Sequence, residues 1–297
     1  MNMLKASRII ILMLFPAILF LSGCERPKGF TVKKITSHHA PMPEWEIPSP
    51  FSRGELDALF NQPFRYLGSG NHTYAFVSED DRLVIKFFKQ KHMKTRTWAD
   101  FLPIPAKKIF YPMGKIHRRM QERREAFTSY KIAYEELKEE TAILYLHLNK
   151  TDHLGITLTL IDQNGNSLKV PLDQMEFLVQ KRATLAFNHL KNLYQEGKNQ
   201  EAIEAITSLL NVVAKRSQKG IYDKDLQLFK NFGFIENQAV EIDIGEFRKD
   251  ETPNPMHDEL KALSLQIHDF VKLYAPKHLK EVDLSMKQEI KRYEPNL

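Results

Sequence analysis

The sequence predicts an α+β fold of two lobes, in which an antiparallel sheet and one long helix precede a helical second half. The first observation is a series of short runs of β-branched and aromatic residues between Phe64 and Lys181, separated by Gly, Asn and Asp. The second is the change after Ala183, where apolar residues recur every three or four positions, as in a helix. Hydrophobic residues make up 42% and charged residues 27% of the chain, which is the balance of a globular protein.

The N-terminus has the features of a secretory signal peptide over residues 1–23. Two cations, Lys5 and Arg8, precede an uncharged apolar run from Ile9 to Leu21. The run is shorter than the roughly 17 to 25 residues that a membrane-spanning helix needs, so a signal sequence is the better interpretation. A signal anchor that keeps this segment is the alternative.

The apolar run ends in Leu21-Ser22-Gly23-Cys24, which resembles the lipobox of bacterial lipoproteins. The resemblance implies that Cys24 carries acyl chains such as palmitate and becomes the first residue of the mature protein. Two or three acyl chains give stable anchoring, so no other membrane segment is needed. Glu25 is not the Asp linked to inner-membrane retention, which favours the outer membrane, facing the periplasm. Cys24 is also the only cysteine, so no disulfide can form within the chain.

Residues 24–55 are rich in proline and have few periodic apolar positions, which predicts an extended tether. The sheet-bearing lobe is then expected over residues 56–182, with a hairpin insertion at Asn164-Gly165, and the short helical lobe over residues 183–297. The predicted elements are strands at 64–67, 74–77 and 83–88, a helix at 115–140, strands at 142–148, 155–161 and 175–181, helices at 183–196 and 199–219, short strands at 232–235 and 239–242, and a helix from 256 onward.

Two features of the first three strands indicate phosphate chemistry. Gly68 and Gly70 join the first two strands, and glycines let backbone N–H groups approach phosphate oxygens closely. Lys86 lies inside an apolar run of the third strand, where a buried ammonium needs an anion beside it. A plain hairpin turn and a solvent-facing lysine are the alternatives.

A third feature follows the long helix of the second half. The segment Gly220-Ile221-Tyr222-Asp223-Lys224-Asp225-Leu226 precedes Asn231 and then Glu241-Ile242-Asp243-Ile244-Gly245. Taken in order with the glycine turn and the lysine, these pieces resemble the catalytic core of the protein-kinase-like fold, which includes aminoglycoside phosphotransferases. The resemblance extends over residues 63–247.

The resemblance implies a site for ATP and Mg²⁺. The residues that it implies for nucleotide binding are Gly68, Gly70, Lys86, its helix partner Glu125 or else Glu122, and the backbone from Gln180 to Arg182, which would meet an adenine ring. Those that it implies for catalysis are Asp225 or else Asp223, and those for the metal are Asn231 and Asp243. Such a set would suffice for phosphoryl transfer, which asks the protein mainly for positioning and charge neutralisation.

The chain departs from the family pattern at several positions, among them Thr73, which replaces the third loop glycine, and Ile244, which replaces Phe. Asp223 stands where the family has His, and Asn231 follows Asp225 by one residue more than usual. Few residues remain after Gly245, so a platform for protein substrates is not expected.

Three functions therefore stay open. The favoured one is a membrane-anchored, kinase-like binding module that is catalytically degenerate, because nucleotides are not normally maintained outside the inner membrane. The alternatives are an active Mg-nucleotide phosphotransferase acting on a small molecule or other hydroxyl acceptor, and an envelope lipoprotein of unrelated fold. The expected partners are the membrane and an envelope protein or small ligand. Nucleic acid is not expected, because no basic run or aromatic-interleaved basic patch is present.

Overall fold

The computed structural model of the chain describes residues 29–93, 113–249 and 256–293. The predicted signal peptide and Cys24 lie outside the described residues. By its internal contacts the chain divides into residues 1–31, of which 29–31 are described, and residues 32–297. The predicted lobe boundaries inside the second unit stay a prediction.

The strands are β1 Phe64–Ser69, β2 Thr73–Ser78, β3 Leu83–Phe88, β4 Ile143–His147, β5 Thr157–Ile161, β6 Ser167–Pro171, β7 Phe177–Lys181, β8 Thr184–Leu185, β9 Ile221–Asp223, β10 Phe232–Ile235, β11 Gln238–Glu241 and β12 Phe247–Lys249. The helices are α1 Arg53–Phe60, α2 Gln90–Met93, α3 Met113–Glu136, α4 Lys138–Thr141, α5 Ala186–Gln195, α6 Asn199–Gln218, α7 Leu228–Asn231, α8 Met256–Tyr274 and α9 Leu279–Tyr293. Mixed α and β structure with a helical C-terminal region confirms the predicted class.

Seven strands form one sheet in the order β4-β7-β3-β2-β1-β5-β6. All neighbours are antiparallel except β1 and β5, which pair in parallel through Phe64 and Leu160. This parallel pair differs from the fully antiparallel prediction. It arises because the β5–β6 hairpin, turned at Asn164-Gly165, extends the sheet past β1. Gly165 has a φ of +82°, a value that glycine adopts without strain.

The sheet is packed on both faces by aromatic side chains. On one face, Phe87 and Tyr145 pack against Phe177, with ring centroids 5.8 Å away in both pairs. On the other face, Phe127 of α3 packs 5.1 Å from Phe88 of β3. Helix α3 is long and polar, but its buried residues recur at helical spacing, so one side of the helix is held against the sheet.

The chain before β1 differs from the predicted tether. Over residues 32–55 it packs against the sheet-bearing half, with Ile35 fully buried and Trp45 in edge contact with Phe127 at 5.4 Å. The Ser37 hydroxyl donates to the Glu176 carboxylate at 2.8 Å, and both residues are buried. Proline content therefore marked an irregular but ordered segment, since its scattered apolar residues are enough to hold it in place.

The helical half has its own core, centred on α6. Helices α8 and α9 pack against α6, and their buried faces carry Leu263, Ile267 and Val282 at 0% exposure. The small sheet β8-β10-β11 contributes Phe232 and Phe234 to this core, whereas the sheet β9-β12 contributes Ile221 and Phe247 to the cluster around Phe127. Within the described residues, none of the helices combines the length and the hydrophobicity that a membrane crossing requires.

Candidate active site

A cleft of about 710 Å³ lies beside the seven-stranded sheet, where the chain passes from β7 into the helical half. Its lining includes Leu67, Val84, Lys86, Gln180, Arg182 and Ile242. Three of these residues were predicted as nucleotide-binding, and the apolar ones come from both halves of the chain. The cleft is therefore the candidate binding site for a nucleotide.

The glycine turn joins β1 to β2 at one edge of the sheet. The amide of Gly70 donates to the Thr73 carbonyl at 3.1 Å, which closes the turn. A Cβ added to Gly68 or to Gly70 would meet nothing within 4 Å, and neither residue has a positive φ. The fold itself thus does not require glycine at these two positions, and the space in front of both stays open.

A lysine after β3 holds the turn from the other side. The Lys89 ammonium donates to the Gly70 carbonyl and lies 4.7 Å from the centroid of the Tyr74 ring. The backbone amide of Lys89 donates to the His72 carbonyl at 2.8 Å. Burial lowers the pKa of Lys89, and the cations Lys91 and Lys34 lower it further.

Lys86 of β3 points to the segment that follows β11. Its ammonium donates to the carbonyl of Ile242, the residue before Asp243. Burial lowers the pKa of Lys86, and the charge of the nearby Asp243 opposes that effect. The lysine and the predicted metal-binding aspartate are therefore neighbours, as the resemblance implies.

The helix carboxylate expected beside Lys86 is elsewhere. Glu125 accepts a hydrogen bond from Arg248 of β12 at 2.9 Å, and both side chains are more than two-fifths exposed. The part of α3 that meets the strand segment is one turn on, where the Ser129 hydroxyl donates to the Ile244 carbonyl at 2.6 Å. Glu125 adjoins the buried position Ala126 on the helix but faces outward, so it cannot serve as the partner of Lys86.

The loop after β9 brings the acidic residues together. The Asp225 amide donates to the Asp223 carboxylate at 3.0 Å, while the Asp225 side chain is exposed and accepts from Gln227 at 2.5 Å. The buried Asn231 donates its amide to the Asp225 carbonyl. The backbone carbonyl of Asn231 accepts hydrogen bonds from the Ile242 amide at 2.7 Å and from the Asp243 amide at 3.4 Å. One asparagine thus joins the Asp225 loop to the Asp243 segment.

Asp223 is buried below this loop. Burial raises the pKa of Asp223 to about 7, with a further contribution from the charge of Glu241. The Asp225 amide and the Arg216 guanidinium act in the opposite direction. The Asp223 Oδ2 atom has no hydrogen-bond partner among the described residues. Asp223 is buried, and its carboxylate accepts the hydrogen bond that fixes the Asp225 amide. The exposed carboxylate of this loop is therefore that of Asp225.

A buried ion-pair network supports β9 and was not predicted. The Arg216 guanidinium bonds Glu241 at 2.8 Å and Glu259 at 3.0 Å, and Arg216 and Glu241 have 0% exposure. Burial alone would lower the pKa of Arg216, but the two carboxylates raise it. The signal was present in the sequence, because Arg216 continues the apolar spacing of Leu209 and Val213 on α6.

The hinge, which is the segment between β7 and α5, uses more of its polar groups for hydrogen bonds within the protein than the resemblance implies. The Gln180 side chain is buried and donates to the Thr141 carbonyl at 2.8 Å. The Arg182 amide donates to the Arg82 carbonyl at 2.8 Å, and the Arg182 guanidinium pairs with Asp81 at 2.6 Å. Gln180 and Arg182 line the cleft, but the Arg182 amide that was expected to meet an adenine ring is used within the protein.

Of the predicted metal ligands, Asp243 directly follows Ile242, which lines the cleft and accepts from Lys86, and the backbone carbonyl of Asn231 accepts from the Asp243 amide. No described residue donates a hydrogen bond to the exposed Asp243 carboxylate, and carboxylate and amide oxygens are the ligands that Mg²⁺ accepts. Asp243 and Asn231 therefore fit Mg²⁺ that would also be held by substrate phosphates. Over the described ranges no group of three or more His, Cys, Asp or Glu side chains could hold a metal ion alone.

Comparison with known proteins gives similarity only among solved structures. No protein-family model matches the chain, and no curated protein matches it. A co-crystal structure of WbdD with the kinase inhibitor LY294002 is 14% identical, with a TM-score of 0.37, and the match covers 76% of this chain and 45% of that one. A structure titled as the bifunctional kinase-methyltransferase WbdD is also 14% identical, with a TM-score of 0.35 and coverage of 74% and 43%. The chain therefore spans less than half the length of these structures.

Proposed function

We propose that the cleft binds a Mg-nucleotide and transfers a phosphoryl group to a hydroxyl acceptor, as in the protein-kinase-like enzymes that the sequence resembles. The observation that carries the proposal is the chain of contacts from Lys86 through Ile242 and Asp243 to Asn231 and Asp225. These residues come from three separate parts of the sequence. A fold that used them only as solvated loop residues would have no reason to link them to one another beside a cleft.

Each side chain has a role that its position allows. Lys86 provides an ammonium for the phosphates, while Asp243 and Asn231 provide oxygens for Mg²⁺, which would neutralise charge on the transferring group. The exposed Asp225 carboxylate can accept the proton of the acceptor hydroxyl. The acceptor oxygen then forms a bond to phosphorus, and the bond from phosphorus to the leaving phosphate oxygen breaks.

A second candidate is a kinase-like module that binds without catalysis. It is favoured by Glu125, which pairs with Arg248 and not with Lys86, and by the bond between Lys86 and the Ile242 carbonyl. The predicted location outside the inner membrane, where nucleotides are not normally maintained, favours it as well. The hydrogen bond from the Arg182 amide to the Arg82 carbonyl also leaves one backbone donor fewer for the base of a nucleotide. The two candidates make different predictions for nucleotide binding and for turnover.

The test is thermal unfolding of the full chain in detergent, with and without Mg-ATP. At a nucleotide concentration of 100 times Kd, binding contributes about 2.7 kcal/mol, which corresponds to a Tm increase of roughly 5 to 10 °C for a chain of this size. Lys86→Ala and Asp243→Ala should remove the increase. Lys169→Ala, at an exposed position of strand β6, is the matched control and should keep the increase.

Turnover separates the two candidates. A catalytic site should hydrolyse or transfer the terminal phosphate slowly, and Asp225→Asn should reduce that rate while the Tm increase remains. Nucleotide binding without any turnover would select the non-catalytic module. Absence of a Tm increase with every Mg-nucleotide tried would remove both.

The membrane anchor is part of the proposal and rests on the lipobox-like residues before Cys24. Lipid on Cys24 would place the cleft at the cell envelope, on the outer membrane facing the periplasm. Metabolic labelling with a palmitate analogue should mark the wild-type chain, and Cys24→Ser should remove the label and release the protein from membranes. Unchanged labelling in Cys24→Ser would contradict the anchor and leave the cleft untouched.

A further inference from the structure

A groove of about 730 Å³ lies between the two C-terminal helices, α8 and α9, and shares no lining residue with the nucleotide cleft. The His268 imidazole of α8 bonds the Asp283 carboxylate of α9 at 2.9 Å and so joins the two helices at the groove. Five of the lining residues combine apolar side chains with ammonium groups, and we call them the α8–α9 surface: Lys261, Leu265, Leu284, Lys287 and Lys291.

The two leucines of the α8–α9 surface are not part of the core. Leu265 is 60% and Leu284 is 58% exposed, whereas the buried sides of the same helices pack against α6 through residues such as Leu263 and Val282. A single exposed leucine is common on protein surfaces, but these two line the same groove. The groove therefore offers apolar area to a partner without any rearrangement of the core.

The charge of the α8–α9 surface is positive. Lys261, Lys287 and Lys291 are exposed, and none of them pairs with a carboxylate among the residues that the structure describes. Among the described residues that line the groove, the carboxylate is that of Asp283, which is already bonded to His268. The three ammonium groups therefore favour a partner that carries negative charge beside an apolar part.

The order of these residues along each helix suits a bilayer interface. Leu284, Lys287 and Lys291 follow one another at intervals of three or four positions on α9, and Lys261 and Leu265 are four positions apart on α8. Residues at such intervals lie on one side of a helix, so each helix presents a leucine next to cations. At an interface the leucine can enter the acyl boundary, while the lysine stems extend and keep their ammonium groups at the lipid phosphates.

The predicted lipid on Cys24 would keep a membrane within reach of the groove. Cys24 is eight residues before Val32, with which the folded unit begins. An extended chain covers at most about 3.6 Å per residue, so the lipid cannot be more than roughly 30 Å from the start of that unit. A weak second contact with the same membrane gains from the high effective concentration that such a short connection provides. Phospholipid is thus the anionic and apolar partner that the anchor supplies.

We infer that the α8–α9 surface docks on anionic phospholipid headgroups of the membrane that carries the anchor. The inference goes beyond the proposed phosphotransferase function and uses the proposed anchor only to bring the membrane close. Bacterial membranes contain such lipids, for example phosphatidylglycerol. Each lysine at an anionic surface strengthens binding about fivefold, and the two leucines add apolar contact. The second attachment restricts rotation of the folded unit about its lipid.

The test places an environment-sensitive dye at residue 284 of the full chain. Cys24 is the only cysteine, so Cys24→Ser with Leu284→Cys leaves one thiol for labelling. The labelled chain is reconstituted in vesicles of phosphatidylcholine alone and in vesicles of equal parts phosphatidylcholine and phosphatidylglycerol. Residues 1–23 are the same in every variant and keep the chain on both kinds of vesicle. The dye emission should shift to shorter wavelength only with phosphatidylglycerol, and salt should reduce the shift.

Substitution of the cations tests the assignment to the groove. The triple variant Lys261→Ala, Lys287→Ala and Lys291→Ala should reduce the ratio of docked to undocked dye at least about tenfold. The matched control replaces three exposed lysines elsewhere and should keep the shift: Lys115→Ala, Lys169→Ala and Lys230→Ala. A dye on Met120→Cys, at a position of α3 that is 54% exposed, should show no shift in either kind of vesicle.

The outcomes separate this inference from the proposed function. Equal emission in the two kinds of vesicle, or a shift that the Lys261, Lys287 and Lys291 triple variant keeps, overturns the docking. A shift that appears without vesicles and grows with protein concentration overturns it too, because it assigns the groove to a second copy of the chain. The Mg-ATP-induced Tm increase should be the same in every lysine variant, since none of these residues lines the cleft. Docking and nucleotide binding can therefore fail independently.

Discussion

Replacing Arg216 by Met should destabilise the protein more than any exposed charge substitution. Arg216 and Glu241 have 0% exposure, and Glu259 has 8%. The substitution keeps most of the side-chain volume but leaves two carboxylates without their cation. Breaking a buried pair in this way typically costs about 3 to 5 kcal/mol, because the remaining charge is desolvated and unpaired. For a chain of this length the Tm should fall by roughly 6 to 20 °C.

The loss should also depend on pH. Burial already raises the pKa of Glu241, and Arg216 opposes that effect in the wild type. Without Arg216 the folded-state pKa of Glu241 rises further above its unfolded value. The protonated form is then favoured in the fold, so the variant should be least destabilised at low pH and lose stability as the pH rises.

The assay is urea unfolding followed by circular dichroism, at pH 5.5 and pH 8, for Arg216→Met, Glu241→Gln and the double variant. The double variant should recover part of the lost stability, since it removes the Glu241 charge that Arg216→Met leaves unpaired. Arg65→Met is the control, because Arg65 pairs with Asp81 at 3.1 Å with half of each side chain exposed and should cost at most about 1 kcal/mol. If Arg216→Met costs no more than Arg65→Met, the network is hydrated and the reasoning fails.

Three further predictions follow from the site and the core. Asp223→Asn should flatten the pH dependence of stability between about pH 4 and 7, because the raised folded-state pKa makes the wild type lose stability as the pH rises through that window; urea unfolding at several pH values measures it, and an unchanged slope would show that Asp223 is hydrated. Phe127→Ala should cost about 3 to 5 kcal/mol, since the ring is fully buried between Trp45 and Phe88; a cost near 1 kcal/mol in the same assay would mean that α3 is not packed as described. Gln266→Ala should lower turnover while the Mg-ATP-induced Tm increase remains, because it frees the loop after Asp225 and not the nucleotide; loss of the Tm increase would contradict that division.

The order of elements and the central site pair could be predicted from the sequence. The runs around Phe64 and Phe88 and the Asn164-Gly165 turn are local signals, and the structure has strands and a hairpin at those places. Lys86 was expected to need an anion because it interrupts an apolar strand, and Asp243 is its neighbour. The strands and the turn depend on residues close together in the sequence. The pairing of Lys86 with an anion follows from the cost of burying an unpaired charge.

The departures have a different origin. Glu125 was predicted from the family resemblance, but a single step around a helix turns a side chain by about 100°, which is enough to direct it toward Arg248 instead of Lys86. The ordering of residues 32–55 depends on contacts such as that of Ser37 with Glu176, 139 positions later. Pairings over such separations leave no periodic signal in one sequence.

The amide of Asn231 has a consequence for how the site can move. Its side chain donates a hydrogen bond to the Asp225 carbonyl, and its backbone carbonyl accepts from the Ile242 amide. The backbones of Asp225 and Asp243 are therefore connected through Asn231. A displacement of Asp243 toward an incoming ion would draw the Asp225 backbone with it, while the Asp225 carboxylate stays free to rotate. One uncharged residue thus links the two acidic residues, and exchanging it for leucine should free the Asp225 backbone from the Asp243 segment without altering any charge.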